Sequence, residues 1–216
     1  MSKVPIEGYY VGHYRSSTDD GTGQRQRSHT KDSQNIDHAL SMLEYSATVD
    51  RPFFLQFWSR MTHHPIVPPD FLVHRYADLE INRSLLGSEV NSKLDECAEA
   101  LEDPVDGLRK YLASVYGFDL GVGRLLAKLD ELGLTDNTVV IFTSDHGAAP
   151  ARVDRDDLRR CYLMGCSGPF HGGKHDLSEG GVRVPLVVRW PGHVTANAVN
   201  ADTTFAFVDF LPTVSA

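Results

Sequence analysis

One long helical period runs almost directly into a β-branched run and then into Ser144-Asp145-His146-Gly147, and this succession constrains the chain more than any other feature. Asp103 and Pro104 open the helix, because Asp caps a helix amino terminus and Pro suits the first helical position. Leu108, Tyr111, Leu112, Val115, Phe118, Val122, Leu125, Leu126, Leu129 and Leu132 then follow at steps of three and four, and Gly133 supplies the carboxyl cap. After a short loop, residues 138–143 (Thr-Val-Val-Ile-Phe-Thr) read as a central parallel strand. An amphipathic helix followed by a buried strand with a polar loop at its carboxyl end predicts an α/β fold. Its core is a layered, mostly parallel sheet flanked by helices.

Other segments fit around that unit. Residues 1–35 are polar, rich in Gly, Ser, Thr and charge, and read as a loop or arm ahead of a body at 36–216. Ile36, Ala39, Leu40, Leu43 and Ala47 predict a short helix after the capping candidate Asn35. Residues 52–58 (Pro-Phe-Phe-Leu-Gln-Phe-Trp) suit a buried strand that stops at the Pro-rich loop Thr-His-His-Pro-Ile-Val-Pro-Pro. Residues 71–103 show no clear period. Residues 184–190 read as a further strand closed by Pro191-Gly192, and Asp209 with Pro212 marks the start of a last helix.

Charge and cysteine usage narrow the function classes. Twenty-one basic against 29 acidic side chains leave a formal charge of −8, a sign that repels phosphate backbones and argues against nucleic-acid binding. No apolar run approaches a membrane span, and the amino terminus lacks the apolar stretch of a signal peptide. The expected location is cytoplasmic for the chain as it stands, and periplasmic or secreted if a further amino-terminal segment precedes it. Cys97, Cys161 and Cys166 are an odd, sparse set, from which no disulfide framework is expected.

Three motifs could carry chemistry. Asp145 and His146 place an oxygen and a nitrogen donor side by side at the end of a strand, where open α/β sheets bind ligands. Thr62-His63-His64-Pro65 arrives at the same edge, and a His there can bind an anion, ligate a metal or protonate a leaving group. The stretch from His171 to Pro185 has glycine pairs on both sides of Lys174, as in a flexible loop carrying a point charge suited to a tetrahedral oxyanion. Glu179 and Arg183 are near enough in sequence to pair and brace it.

Residues 123–147 (GRLLAKLDELGLTDNTVVIFTSDHG) and 172–192 (GGKHDLSEGGVRVPLVVRWPG) closely resemble the sulfatases of the alkaline-phosphatase superfamily. Residues 51–69 resemble that family's strand and Pro-His-Thr-Pro-like loop, and VDFLPTVSA its Asp-hydrophobic-Pro-Thr helix start. The resemblance runs from about residue 36 to the end. It implies metal-dependent hydrolysis of small-molecule or carbohydrate sulfate esters, with Asp145 and His146 as metal ligands. His63 becomes the sulfate-contacting His and Lys174 the sulfate-binding Lys. Calcium is the implied cation; the nitrogen donor at His146, where many members have Asn, admits manganese or zinc. Asp-His-Gly is shared with related phosphodiesterases and phosphonate monoester hydrolases, which stand as an alternative, as does a non-catalytic anion-binding pseudoenzyme.

Two family elements are not matched. The resemblance leads one to expect a formylglycine nucleophile made from a Cys/Ser-X-Pro/Ala-X-Arg pentapeptide, and no Cys or Ser of the 216 residues fits that pattern. Asp19-Asp20-Gly21 imitates the letters of the family's metal-binding aspartate pair, but the polar residues ahead of it cannot be a buried strand. The chain therefore reads as part of a sulfatase catalytic domain, inactive alone, whose partner is the remainder of its own domain.

Overall fold

The longest helix, α4 (Pro104–Glu131), forms where its caps and apolar stripe predict. The carboxylate of Asp103 accepts from the Val105 N–H at 2.9 Å and from Arg109 at 2.7 Å. At the other end Gly133 turns left-handed (φ 67°). Its N–H donates to the Asp130 carbonyl at 3.1 Å, while that of Leu134 reaches back to Leu129 at 2.9 Å. This double closure satisfies carbonyls that a helix end otherwise leaves bare. The computed structural model describes residues 28–49, 51–60, 62–98, 101, 103–149 and 161–215. Residues 1–27, with Asp19 and Asp20, lie outside the described residues.

Three helices pack on α4. The first, α1 (Ser28–Val49), begins well before Asn35, so Asn35 lies within the helix and is not its cap. Ile36, Ala39 and Leu43 are buried, and extending a helix already anchored by packing costs less than starting one, which carries it back through polar residues. Ile36 fills the space a side chain would need at Gly121 of α4. Ion pairs flank this contact, Arg124 with Asp37 at 2.6 Å and Lys128 with Glu44 at 2.9 Å. α2 (Asp70–His74) buries Leu72, and just beyond it Arg75 lies over the Tyr116 ring at 4.5 Å. α3 (Ser88–Ala98) occupies the stretch without a clear period and buries Lys93, Leu94 and Cys97.

Cys97 is disulfide-bonded to Cys161, 64 positions away, with a Cα–Cα distance of 5.6 Å. This corrects the expectation drawn from the odd cysteine count: two of three pair, and Cys166 is left free and exposed. Counting alone does not register that folding brings α3 against the segment after residue 160.

The sheet also differs from expectation. β1 (Val140–Thr143) pairs antiparallel with β2 (Leu186–Arg189), Val140 opposite Arg189 and Thr143 opposite Leu186. Among the described residues these two strands make the whole sheet, so the layered, mostly parallel sheet is not what these residues form. The cause is the return path. The N–H of Gly147 donates to the Gly181 carbonyl at 2.9 Å, which brings the chain back beside the carboxyl end of β1. After the one-turn helix α5 (Glu179–Val182) it enters β2 from that same end and must run the opposite way. Phe142 packs on Phe118 of α4 with ring centroids 6.0 Å apart. Residues 52–58 form no strand among the described residues; Phe53, Leu55 and Phe57 are only half-buried while Phe54 and Trp58 are exposed, so the run is not the buried one its composition suggests. In the last helix, α6 (Phe207–Ser215), Asp209 sits inside the first turn and accepts from the Ala206 N–H at 2.8 Å. Pro212 lies in the interior rather than in the first turn.

Candidate active site

Asp145 and His146 follow β1 after a single intervening residue. The His146 Nδ1 lies 2.8 Å from the carbonyl of Gly147. A carbonyl only accepts, so Nδ1 carries the hydrogen and Nε2 presents a lone pair in the neutral ring. That Nε2 stands 3.4 Å from Oδ2 of Asp145. The Asp145 carboxylate is exposed, so the two acceptor atoms face one another across solvent-open space. Among the described residues no group of three or more His, Cys, Asp or Glu is placed to hold a metal ion.

Lys174 comes from the long loop between β1 and α5. Its Nζ reaches to 3.4 Å from Nε2 of His63, across 111 positions of chain. His63 in turn has its Nδ1 2.6 Å from the His64 carbonyl. The same tautomer argument leaves Nε2 as the acceptor facing the Lys174 ammonium. His63 lies in a turn where its N–H donates to the Arg60 carbonyl at 3.0 Å, just ahead of a cis peptide at His64–Pro65.

Backbone contacts stitch the two pairs together. The Lys174 N–H donates to the Ala148 carbonyl at 2.8 Å, one residue beyond the bond from Gly147 to Gly181. The glycines are there for closeness. The Gly180 carbonyl occupies the position of a side chain at Gly147, the Ala148 carbonyl that at Gly173, and the Asp176 carbonyl that at Gly181. The pairs flanking Lys174 thus serve close packing, not the loop flexibility their spacing suggests. Glu179 and Arg183 do pair, at 2.9 Å, and the guanidinium lies over Phe170 at 4.5 Å. His171 and His175 are exposed, and neither joins Asp145 and His146 in a donor cluster.

A supporting layer went unread in the sequence. On α3, Glu89, Lys93 and Cys97 recur every four residues and so share one face. The buried Lys93 ammonium pairs with Glu89 at 3.0 Å and donates to the carbonyls of Gly165 and Ala149. Ser167 accepts from the Ala148 N–H at 3.3 Å and donates to the Gly180 carbonyl at 2.7 Å, while its own N–H donates to Glu89 at 3.3 Å. The only sequence signal for this layer was the four-residue spacing of Glu89, Lys93 and Cys97. Nearby, burial pulls Lys110 down, but hydrogen bonds to Asp106 and Tyr162 outweigh it and hold the ammonium above the ordinary lysine value. Burial, with the Cys166 thiol beside it, pushes the Tyr111 hydroxyl up.

Comparison with known proteins bears on this arrangement. The family model described as Sulfatase matches residues 5–216. Steryl-sulfatase of Mus musculus is 49% identical over 105 residues, 49% of this chain and 16% of that protein. Arylsulfatase A of Homo sapiens is 32% identical over 167 residues, 77% of this chain and 25% of that protein. The chain thus spans a quarter or less of the length of these two relatives. The crystal structure of Ps i-CgsB in complex with k-i-k-neocarrahexaose superposes with a TM-score of 0.56 at 23% identity, over 76% of this chain and 29% of that one. That likeness is one of fold, and together with the family match it gives the α/β, alkaline-phosphatase-like class. With its family match running nearly end to end, this chain belongs to the sulfatase family.

Proposed function

We propose that the chain contributes the anion-holding part of a sulfuric ester hydrolase site, with Lys174 and His63 as the groups that grip the sulfate. The observation that carries this reading is the 3.4 Å approach of the Lys174 ammonium to His63 Nε2. An ammonium and an imidazole converging from distant segments can both face one tetrahedral oxyanion. An attacking oxygen supplied from outside these residues would form the new S–O bond as the ester S–O bond breaks, and negative charge then grows on the leaving oxygen. Lys174 offsets charge on the sulfate oxygens, and its ammonium, hydrogen-bonded to His63 Nε2, is the proton source that this imidazole can relay to the leaving oxygen.

Asp145 Oδ2 and His146 Nε2 would hold one edge of a divalent cation's coordination shell, since two facing acceptors suit a shared positive charge. When bound, such an ion polarises sulfate oxygens as a Lewis acid. Calcium seeks about six to eight oxygens, so this pair alone fits only part of a shell and no step is built on it. The family match favours sulfate esters over phosphate or phosphonate esters. Relatives named for steryl and aryl sulfates, and a structural neighbour bound to an oligosaccharide, support a small-molecule or carbohydrate sulfate ester as substrate.

Calorimetry with inorganic sulfate and phenyl sulfate tests the reading. Both anions are expected to bind, Lys174→Ala weakens both about ten-fold or more, and uncharged phenol does not compete. Equal affinity in the wild type and in both Lys174→Ala and His63→Ala would overturn it.

A further inference from the structure

We infer that Ser167 is a positioning residue that sets the spacing between the Asp145–His146 turn and the Lys174 loop, and that α3 holds it in place through Glu89. The inference rests on the reading of Lys174 and His63 as an anion grip and adds the element that fixes their frame. Four observations converge on this one residue. Its hydroxyl accepts from the N–H of Ala148, the residue whose carbonyl receives the Lys174 N–H. The same hydroxyl donates to the carbonyl of Gly180, which packs directly against Gly147. Its backbone N–H is bonded to Glu89, whose other oxygen pairs with the buried Lys93. Lys93 then donates to carbonyls on both sides of this junction, Ala149 and Gly165.

A serine hydroxyl has one hydrogen to give and lone pairs to receive with, so it can bridge an N–H and a carbonyl that could not bond each other. No direct bond between Ala148 and Gly180 substitutes for it, because the bonds that join the two loops lie on either side, at Gly147 to Gly181 and Lys174 to Ala148. Removing the hydroxyl leaves a half-buried N–H and carbonyl facing each other's neighbours with no partner between. The disulfide, one turn beyond Lys93 on α3, ties that helix to Cys161, six positions ahead of Ser167, and so anchors the same segment covalently.

The test compares Ser167→Ala, Ser167→Thr and Glu89→Gln in the full chain, by amide hydrogen exchange and by sulfate titration. Ser167→Ala is expected to speed exchange at Ala148 and Lys174 about three- to ten-fold, from the loss of about one net hydrogen bond per partner. The amides of α4 should be unchanged. Sulfate affinity falls by a similar factor, and Ser167→Thr, which keeps the hydroxyl, restores both. Should Ser167→Ala not fold, Glu89→Gln supplies the same readout with a smaller acceleration at Ser167 and Ala148. Unchanged exchange in Ser167→Ala and Glu89→Gln, or a threonine variant that behaves like alanine, would overturn the assignment. If the wild type binds no sulfate, the anion-grip reading fails by itself, while the exchange comparison still decides the role of Ser167.

Discussion

The carbonyl oxygen of Gly180 occupies the space that a side chain at Gly147 would need, so the turn after β1 and the one-turn helix α5 meet backbone to backbone. Gly147→Ala is therefore expected to lower stability by about 1–3 kcal/mol, the usual cost of forcing a methyl into a filled site. Gly123, on the exposed face of α4, has nothing within 4 Å of an added Cβ. Gly123→Ala should raise stability by about 0.5–1 kcal/mol through helix propensity alone. Urea midpoints of the two variants check both signs at once, and a neutral Gly147→Ala would contradict the close-packed reading of the loop.

Thiol titration of the denatured, unreduced chain should find one reactive thiol, that of Cys166, and three after reduction. Closing a loop of 64 positions stabilises the fold by up to about 4 kcal/mol in the chain-entropy account. Reduction, or Cys97→Ala with Cys161→Ala, is expected to shift the unfolding midpoint accordingly. Three thiols reactive before reduction would contradict the pairing.

Asp103 links helix capping to pH. Its hydrogen bond from Arg109, joined by the cap bond from Val105, holds the carboxyl below its ordinary 3.8 despite some opposing burial. A carboxyl depressed in the fold contributes stability above its unfolded value, and that contribution disappears as pH falls through the folded value. Asp103→Ala should cost about 1 kcal/mol near neutral pH. The gap to the wild type should close in strong acid, below 3.8. Urea titrations across that range check the trend; a gap of constant size would sink it.

With two facing donor atoms and no third among the described residues, Asp145 and His146 should bind calcium or manganese only weakly. Dissociation constants are expected at or above about 1 mM, with Asp145→Asn abolishing what binding there is. Calorimetry giving a micromolar constant would mean that further donors complete the shell.

Much of this was legible in the residues, and the parts that were not have identifiable causes. Both ends of α4 could be read because Asp103, Pro104 and Gly133 act on backbone groups within a few positions of themselves. The direction of β2 could not, since a run such as Leu186–Arg189 carries the same apolar pattern either way; only the bond from Gly147 to Gly181 decides it. α3 was hidden because its buried face includes Lys93, a residue whose polarity breaks the apolar period and whose partners lie 56 and 72 positions away. Lys174 and His63 could be read as converging on one sheet edge, and the resemblance makes both sulfate-contacting; what their spacing does not give is the direct 3.4 Å approach of the two side chains. Their juxtaposition depends on a turn and a loop that fold together at the edge of a two-stranded sheet.

The measurement that bears most directly on the central claim is a double-mutant cycle for sulfate binding by calorimetry, with the His63 imidazole resonances followed in the two proteins that keep His63. In the wild type, sulfate should shift those resonances saturably, and Lys174→Ala should leave only a small, weakly saturating shift. His63→Ala and Lys174→Ala, followed by calorimetry, should each weaken sulfate, and the double variant should lose less than the sum of the two, as expected for side chains that share one anion. Strictly additive losses, or a His63 signal indifferent to sulfate while the chain still binds it, would place the anion elsewhere and contradict the account.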